Sequence, residues 1–224
     1  MHFSLFGFPT RIEASFVLIV ALLGLGGPPG RLILWVVLAV LGILGHELGH
    51  ALAARMMGAR ATITLAGLGG LTRSARTEPL TRRESAVLTA AGPGSGVVLG
   101  LGVLGALHGL GWESWTTGGW ALRTAVWTTL GWSALNLVPV LPLDGGSLLE
   151  LALPGRAEER RRRAAQVSVA IAGAAALAAY SAGLSFAALF AMMLAGQNLG
   201  ALRQARVNSS SSEPGPSGLS GPSA

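Results

Sequence analysis

Residues Leu41–Gly58 read LGILGHELGHALAARMMG, and their reading decides the fold. His46, Glu47 and His50 stand inside a run that is otherwise apolar enough to live in lipid. A charged side chain at the bilayer centre costs at least about 2.5 to 3.5 kcal/mol on insertion scales, so these groups need a compensating interaction. The rest of the chain has the same character. Its 224 residues are 51% hydrophobic and only 12% charged, with a mean hydropathy of +0.57. That is too apolar for a soluble domain of this length and specifies a polytopic membrane protein. There is no cysteine, so a metal here must be held by nitrogen and oxygen ligands.

Apolar runs divide the chain into about six expected spans. They are Ala14 to about Gly27, which is short, Leu32 to Met57, Ser85 to Leu110, Ala121 to Leu141, Ala164 to Ser181, and Leu184 to about Leu202. No A-x-A cleavage site follows the first, so it is expected to be retained and not removed as a signal peptide. All the basic residues are arginine. If the spans alternate, every arginine except Arg31 and Arg123 falls on one side, which the positive-inside rule makes cytoplasmic, with both termini there. Trp35, Trp112, Trp115 and Trp120 gather at the opposite interface as an aromatic belt. The net charge of +6 therefore reports topology and attraction to the lipid bilayer, not nucleic acid. The arginine-only, Ala- and Gly-rich composition points to a bacterial inner (plasma) membrane.

On a helix, His46 and His50 project from one face and can share one metal ion, while Glu47 can reach a water bound there. This is the zinc hydrolase pattern. A catalytic zinc takes three protein ligands and leaves one position open. His2 is terminal, and His108 lies near the outer end of the third span. His46 lies roughly 20 Å from the outer start of its helix, towards the cytoplasm. The single aspartate, Asp144, arrives on that same side in NLVPVLPLDGG, Asn136 to Gly146. Taken alone, Asp144 reads as a cap on a helix that begins at Gly145. Beside HELGH it is the natural third ligand. Zinc with Asp144, Glu47 and two neutral imidazoles sums to zero charge, which makes the cluster tolerable at depth. Pro139 and Pro142 break the fourth span, a break tolerated only where protein or a water-filled cavity lines it.

Outside the spans, Thr62, Ile63, Thr64 and Leu65 alternate before a Gly-rich turn, which predicts a short interfacial strand or hairpin. That strand is expected to bind an unwound substrate segment at its edge. Phe3 to Glu13 supplies a further extended piece. The GxxxG steps Gly45/Gly49 and Gly96/Gly100 are expected to permit close helix approach. The expected organisation is one domain over 1–206 and a disordered Ser/Gly/Pro-rich tail over 207–224. The fold class is all-α and polytopic, with a small interfacial β-hairpin or sheet.

HELGH in a transmembrane helix, GPGSG at Gly92 to Gly96, and N-x-x-P-x-x-P-L-D-G-G from Asn136 to Gly146 together resemble the site-2 protease family of intramembrane zinc metalloproteases, in its small six-span form. The resemblance implies that His46, His50 and Asp144 bind one zinc ion, that Glu47 is the general base, and that Asn136 helps stabilise the oxyanion. It implies cleavage within or near the membrane segment of a single-pass protein, such as an anti-sigma factor or a remnant signal peptide. It also likens Gly69 and Gly70 to the family's membrane-associated sheet. These 224 residues hold no PDZ or CBS module, and Ser147 stands where a basic residue often follows the aspartate. Two rival classes are a non-proteolytic relative that binds a membrane helix without cutting it, and a metal transporter. An intact HELGH with Asp144 disfavours the first, and the lack of a visible inverted repeat disfavours the second.

Overall fold

The computed structural model describes residues 1–27, 30–110 and 116–211. Trp112, Trp115 and the tail from 212 onward lie outside the described residues. In chain order the elements are β1 (His2–Leu5), β2 (Phe8–Ile12), α1 (Ala14–Gly24), α2 (Leu32–Met56), β3 (Arg60–Ala66), β4 (Gly69–Ala75) and α3 (Arg82–Leu110). There follow α4 (Thr117–Val126), a π-helical turn (Trp127–Gly131), α5 (Trp132–Asn136), α6 (Asp144–Ala152), α7 (Ala157–Ser181) and α8 (Ser185–Ser211). The molecule is thus mostly helical with one small sheet.

Among the described residues, four helices are long and apolar enough to cross a membrane: α2, α3, α7 and α8. The chain is a membrane protein, but two of the six expected spans take another form. The first becomes α1, whose 11 residues reach only about 16 Å, half of a hydrocarbon core. The fourth is divided into α4, the π-helical turn and α5, and its helix ends at Asn136, not Leu141. Thr128 and Thr129 donate back to the Ala125 carbonyl, and Ser133 to that of Thr129, within this irregular stretch. At the other end of the chain, α8 continues to Ser211, so the first residues expected in the tail are helical.

The sheet has the order β1-β2-β3-β4. Phe6 at φ 50° and Gly7 at φ 85° make the two-residue turn between β1 and β2, the left-handed pairing that suits a tight hairpin. β2 then lies parallel to β3, with Thr10 opposite Ile63 and Ile12 opposite Leu65, and β3 pairs antiparallel with β4. Ala61, Ile63 and Leu65 point into the core while Arg60 and Thr62 face out, the period of two that fixes which face is buried. This corrects one expectation. Thr62, Ile63, Thr64 and Leu65 lie on an interior strand, and the edge proposed for substrate is already taken by β2. The free edges of the sheet are those of β1 and β4.

Close helix contacts fasten the centre. A Cβ at Gly49 would run into Ser95 and the Ala91 carbonyl of α3, and one at Gly96 would run into Ser133 of α5. Gly45 is likewise closed off by Leu99, and Gly100 by Leu130. Small residues here let backbones approach, as packing within a membrane requires. Ser95 adds a hydrogen bond from α3 to the Gly45 carbonyl, 3.0 Å.

Candidate active site

His46 and His50 lie one turn apart on α2, and both are buried. Their rings meet edge to face with centroids 5.0 Å apart. Asp144, the first residue of α6, brings one carboxylate oxygen to both of them. Its Oδ2 stands 3.1 Å from His46 Nε2 and 3.3 Å from His50 Nε2. The carboxylate is therefore turned to the histidines and does not cap its own helix, whose N-cap is Leu143.

His50 Nδ1 lies 2.8 Å from the Leu88 carbonyl. A carbonyl only accepts, so Nδ1 carries the proton and a neutral His50 presents a bare Nε2 to Asp144. Two acceptors then face one another at 3.3 Å, an arrangement that needs either a proton or a metal ion between them. Ligand atoms at about 2.0 to 2.2 Å from a tetrahedral zinc stand about 3.3 to 3.6 Å apart. The His50 separation of 3.3 Å lies at the short end of that range and the His46 separation of 3.1 Å just below it, so a bound ion would part the carboxylate slightly from His46. A backbone carbonyl orienting a ligand histidine is the usual outer support of such a site. His46 Nδ1, by contrast, is buried and has no hydrogen-bond partner among the described residues.

Glu47 joins the two histidines in a cluster whose donor atoms all lie within 4.8 Å of one another. Two carboxylates are thus near enough to be the third ligand, and their contacts separate them. Asp144 Oδ2 bisects the imidazoles, whereas Glu47 Oε2 accepts a 2.8 Å hydrogen bond from Thr72 of β4. The Thr72 hydroxyl is also 3.1 Å from the Glu47 carbonyl. Gly70, on the same strand, lies so close that a Cβ there would overlap the Glu47 carboxylate. Glu47 is held against the sheet, beside the cluster.

Asn136 is buried at the end of α5, and its amide donates to the Trp132 carbonyl at 3.0 Å. It makes no described contact with His46, His50 or Asp144. Thr62 to Leu65 lie one strand farther from Glu47 than β4 does. Thr72 and the Leu88 carbonyl were not foreseen from sequence, whereas Gly70 and Gly92 lie in stretches that the family resemblance had singled out; a Cβ at Gly92 would overlap His50 Nε2. Gly92 belongs to the GPGSG stretch, which was the available signal. Nothing in the sequence marked Thr72 or Leu88.

Beside the cluster lies an apolar groove of about 480 Å³, lined by Val20, Leu23, Trp35, Leu68, Trp127 and Trp132 among others. Trp132 separates groove from cluster: its ring lies 6.5 Å from that of His46, and Gly69 packs on its far edge. The Trp132 indole N–H is buried without a partner among the described residues.

No family model matches the chain. It aligns with a Synechocystis sp. protein named "Putative zinc metalloprotease", 32% identical over 162 residues, covering 66% of this chain and 42% of the relative. The chain thus spans about two fifths of that relative's length. Its structure superposes on the site-2 protease from Methanocaldococcus jannaschii with a TM-score of 0.67 at 20% identity, over 90% of this chain and 94% of that one. The chain has the fold of the site-2 protease family. In that site-2 protease fold, the residues brought together here are HELGH of α2, Thr72 of β4 and Asp144 of α6.

Proposed function

We propose that this chain is an intramembrane zinc metalloprotease that hydrolyses a peptide bond within or near the membrane segment of a single-pass protein. The observation that carries the reading is the convergence of His46 and His50 Nε2 on one oxygen of Asp144, with Glu47 kept out of that set by Thr72. The site-2 protease fold and the similarity to a protein named as a zinc metalloprotease support it.

His46, His50 and Asp144 would hold the ion. Zinc bound there would supply a Lewis acid that makes water a nucleophile near neutral pH. Glu47, with Thr72 on Oε2, would keep Oε1 free to take a proton from the attacking water and to deliver it to the leaving amine. Asn136 spends one amide N–H on Trp132 and keeps a second for the developing oxyanion. The substrate unwinds and joins the free edge of β4, which carries Gly70 and Thr72 past Glu47, in place of the occupied edge of β3. Its apolar side chains are received by the groove behind Trp132. The arginine distribution supports a cytoplasmic site and cytoplasmic termini in a bacterial inner membrane. An anti-sigma factor or a remnant signal peptide has the required single-pass form.

The test pairs wild type with Glu47→Gln in detergent or nanodiscs. Both should hold one zinc per chain, while cleavage of a single-span reporter falls by about 10²- to 10⁴-fold in the variant, the usual share of a general base. Equal cleavage removes Glu47 from the mechanism. Zinc without cleavage in either protein favours the helix-binding relative, and transmembrane zinc flux in vesicles favours the transporter.

A further inference from the structure

The loop between α5 and α6 must present Asp144 at membrane depth although Pro139 and Pro142 prevent it from being helical. Its own backbone bonds account for Leu137, Val138, Val140 and Leu143. Leu141 takes part in none of them. Its N–H donates to Ser168 Oγ of α7 at 2.8 Å, and its carbonyl accepts from Asn198 Nδ2 of α8 at 2.6 Å.

Ser168 and Asn198 are buried polar residues in two otherwise Ala- and Leu-rich spans, at 0% and 4% exposure. Each also bonds back one turn along its own helix, Ser168 to Ala164 and Asn198 to Leu194. Such back-bonding alone would satisfy a serine in a membrane helix. It does not explain why two side chains from two helices meet at the two polar groups of a single residue. Backbone polar groups left unsatisfied at this depth are costly, so the pairing is strongly favoured.

The clip is also rigidly linked to the ligand. Val140 packs on Ala172 and Leu194, and Leu141 on Ala164 and Ala165. A Cβ at Gly146 would run into the backbone of Val140 and Leu141, and one at Gly145 into the carbonyls of Leu137 and Val138. The first turn of α6 is therefore seated directly on the clipped peptide, and Asp144 opens that turn.

We infer that Ser168 and Asn198 are positioning residues for the metal ligand Asp144, holding it through the Leu141 peptide so that the α7–α8 hairpin sets the third corner of the metal site. This deepens the metalloprotease reading and rests on it. The hairpin's own chemistry is not required; it contributes one acceptor and one donor.

The experiment measures zinc affinity of the intact protein in nanodiscs by competition with a chelator, for Ser168→Ala and Asn198→Leu, each with Asp144 present and with Asp144→Ala. With Asp144 present each change should weaken zinc about 10- to 100-fold, the effect typical of residues that orient a ligand. In the Asp144→Ala background the same changes should do almost nothing further, because the residue they act through is gone. Equal losses in both backgrounds, or no loss with Asp144 present, overturn the inference. Should a variant fail to fold, wild type alone decides. By linkage, zinc must stabilise the clip that stabilises its ligand, so hydrogen exchange at the Leu141 amide should slow about tenfold or more on zinc loading. Unchanged exchange overturns the inference. Wild type that takes up no zinc fails the metalloprotease reading as well, whereas zinc-binding wild type with unaffected variants fails this inference alone.

Discussion

His46 and His50 reach the cluster from an unbroken helix, whereas Asp144 reaches it from behind a loop broken by two prolines. On α2 the spacing of the imidazoles is fixed by helix geometry, and α3 packs closely on the same helix at Gly45 and Gly49 and on His50 at Leu88 and Gly92. The aspartate has no such frame and depends on contacts from α7 and α8. One side of the site is thus set by local geometry, and the other by side chains remote in sequence. Damage to the first should be abrupt, and damage to the second graded.

Three substitutions try that contrast, beyond the tests given above. The largest effect is expected from Gly92→Ala, whose new methyl overlaps His50 Nε2 and forces the ring out of line. Zinc should bind about 100-fold more weakly, the upper end for changes just outside a ligand shell; near-wild-type affinity would break the picture of a rigid histidine side. Thr72→Val should be intermediate. It keeps the shape but removes the hydroxyl that donates to Glu47. Cleavage should slow about tenfold, as for loss of one hydrogen bond to a charged group, with zinc content unchanged. A drop in zinc instead would mean that Glu47 is a ligand. The smallest effect is expected from Arg82→Gln. Arg82 donates to the carbonyls of Leu151 and Leu153, at the far end of α6 from Asp144. These contacts are exposed, so thermal unfolding should shift by no more than about 2 to 4 °C. A large loss of zinc would show that Asp144 is held from both ends of its helix.

Much of this was legible from local pattern. HELGH announced itself because i and i+4 share a helix face, and Asp144 because it is the sole aspartate and follows a proline-broken span. The boundaries of α2 and α3 followed from long apolar runs. What escaped was non-local. Pairing of Phe8–Ile12 with β3 joins segments some fifty residues apart in a parallel register, and no hairpin signal can announce that. It is also why the edge expected at Thr62 to Leu65 was misplaced. The π-helical turn at Trp127–Gly131 has no compositional mark, since Trp, Thr and Leu suit an ordinary helix equally well. Ser168 and Asn198 looked bland among alanines and leucines, although a buried amide in a membrane span always implies a partner.

The groove behind Trp132 opens among apolar side chains beside the cluster, with scarcely a polar group on its walls. A small-molecule blocker pairing a metal-chelating head with a greasy tail would dissolve in the bilayer first and dock from there. Its potency would then track its oil–water partition coefficient, so assays in different detergents or liposomes would rank the same compounds differently.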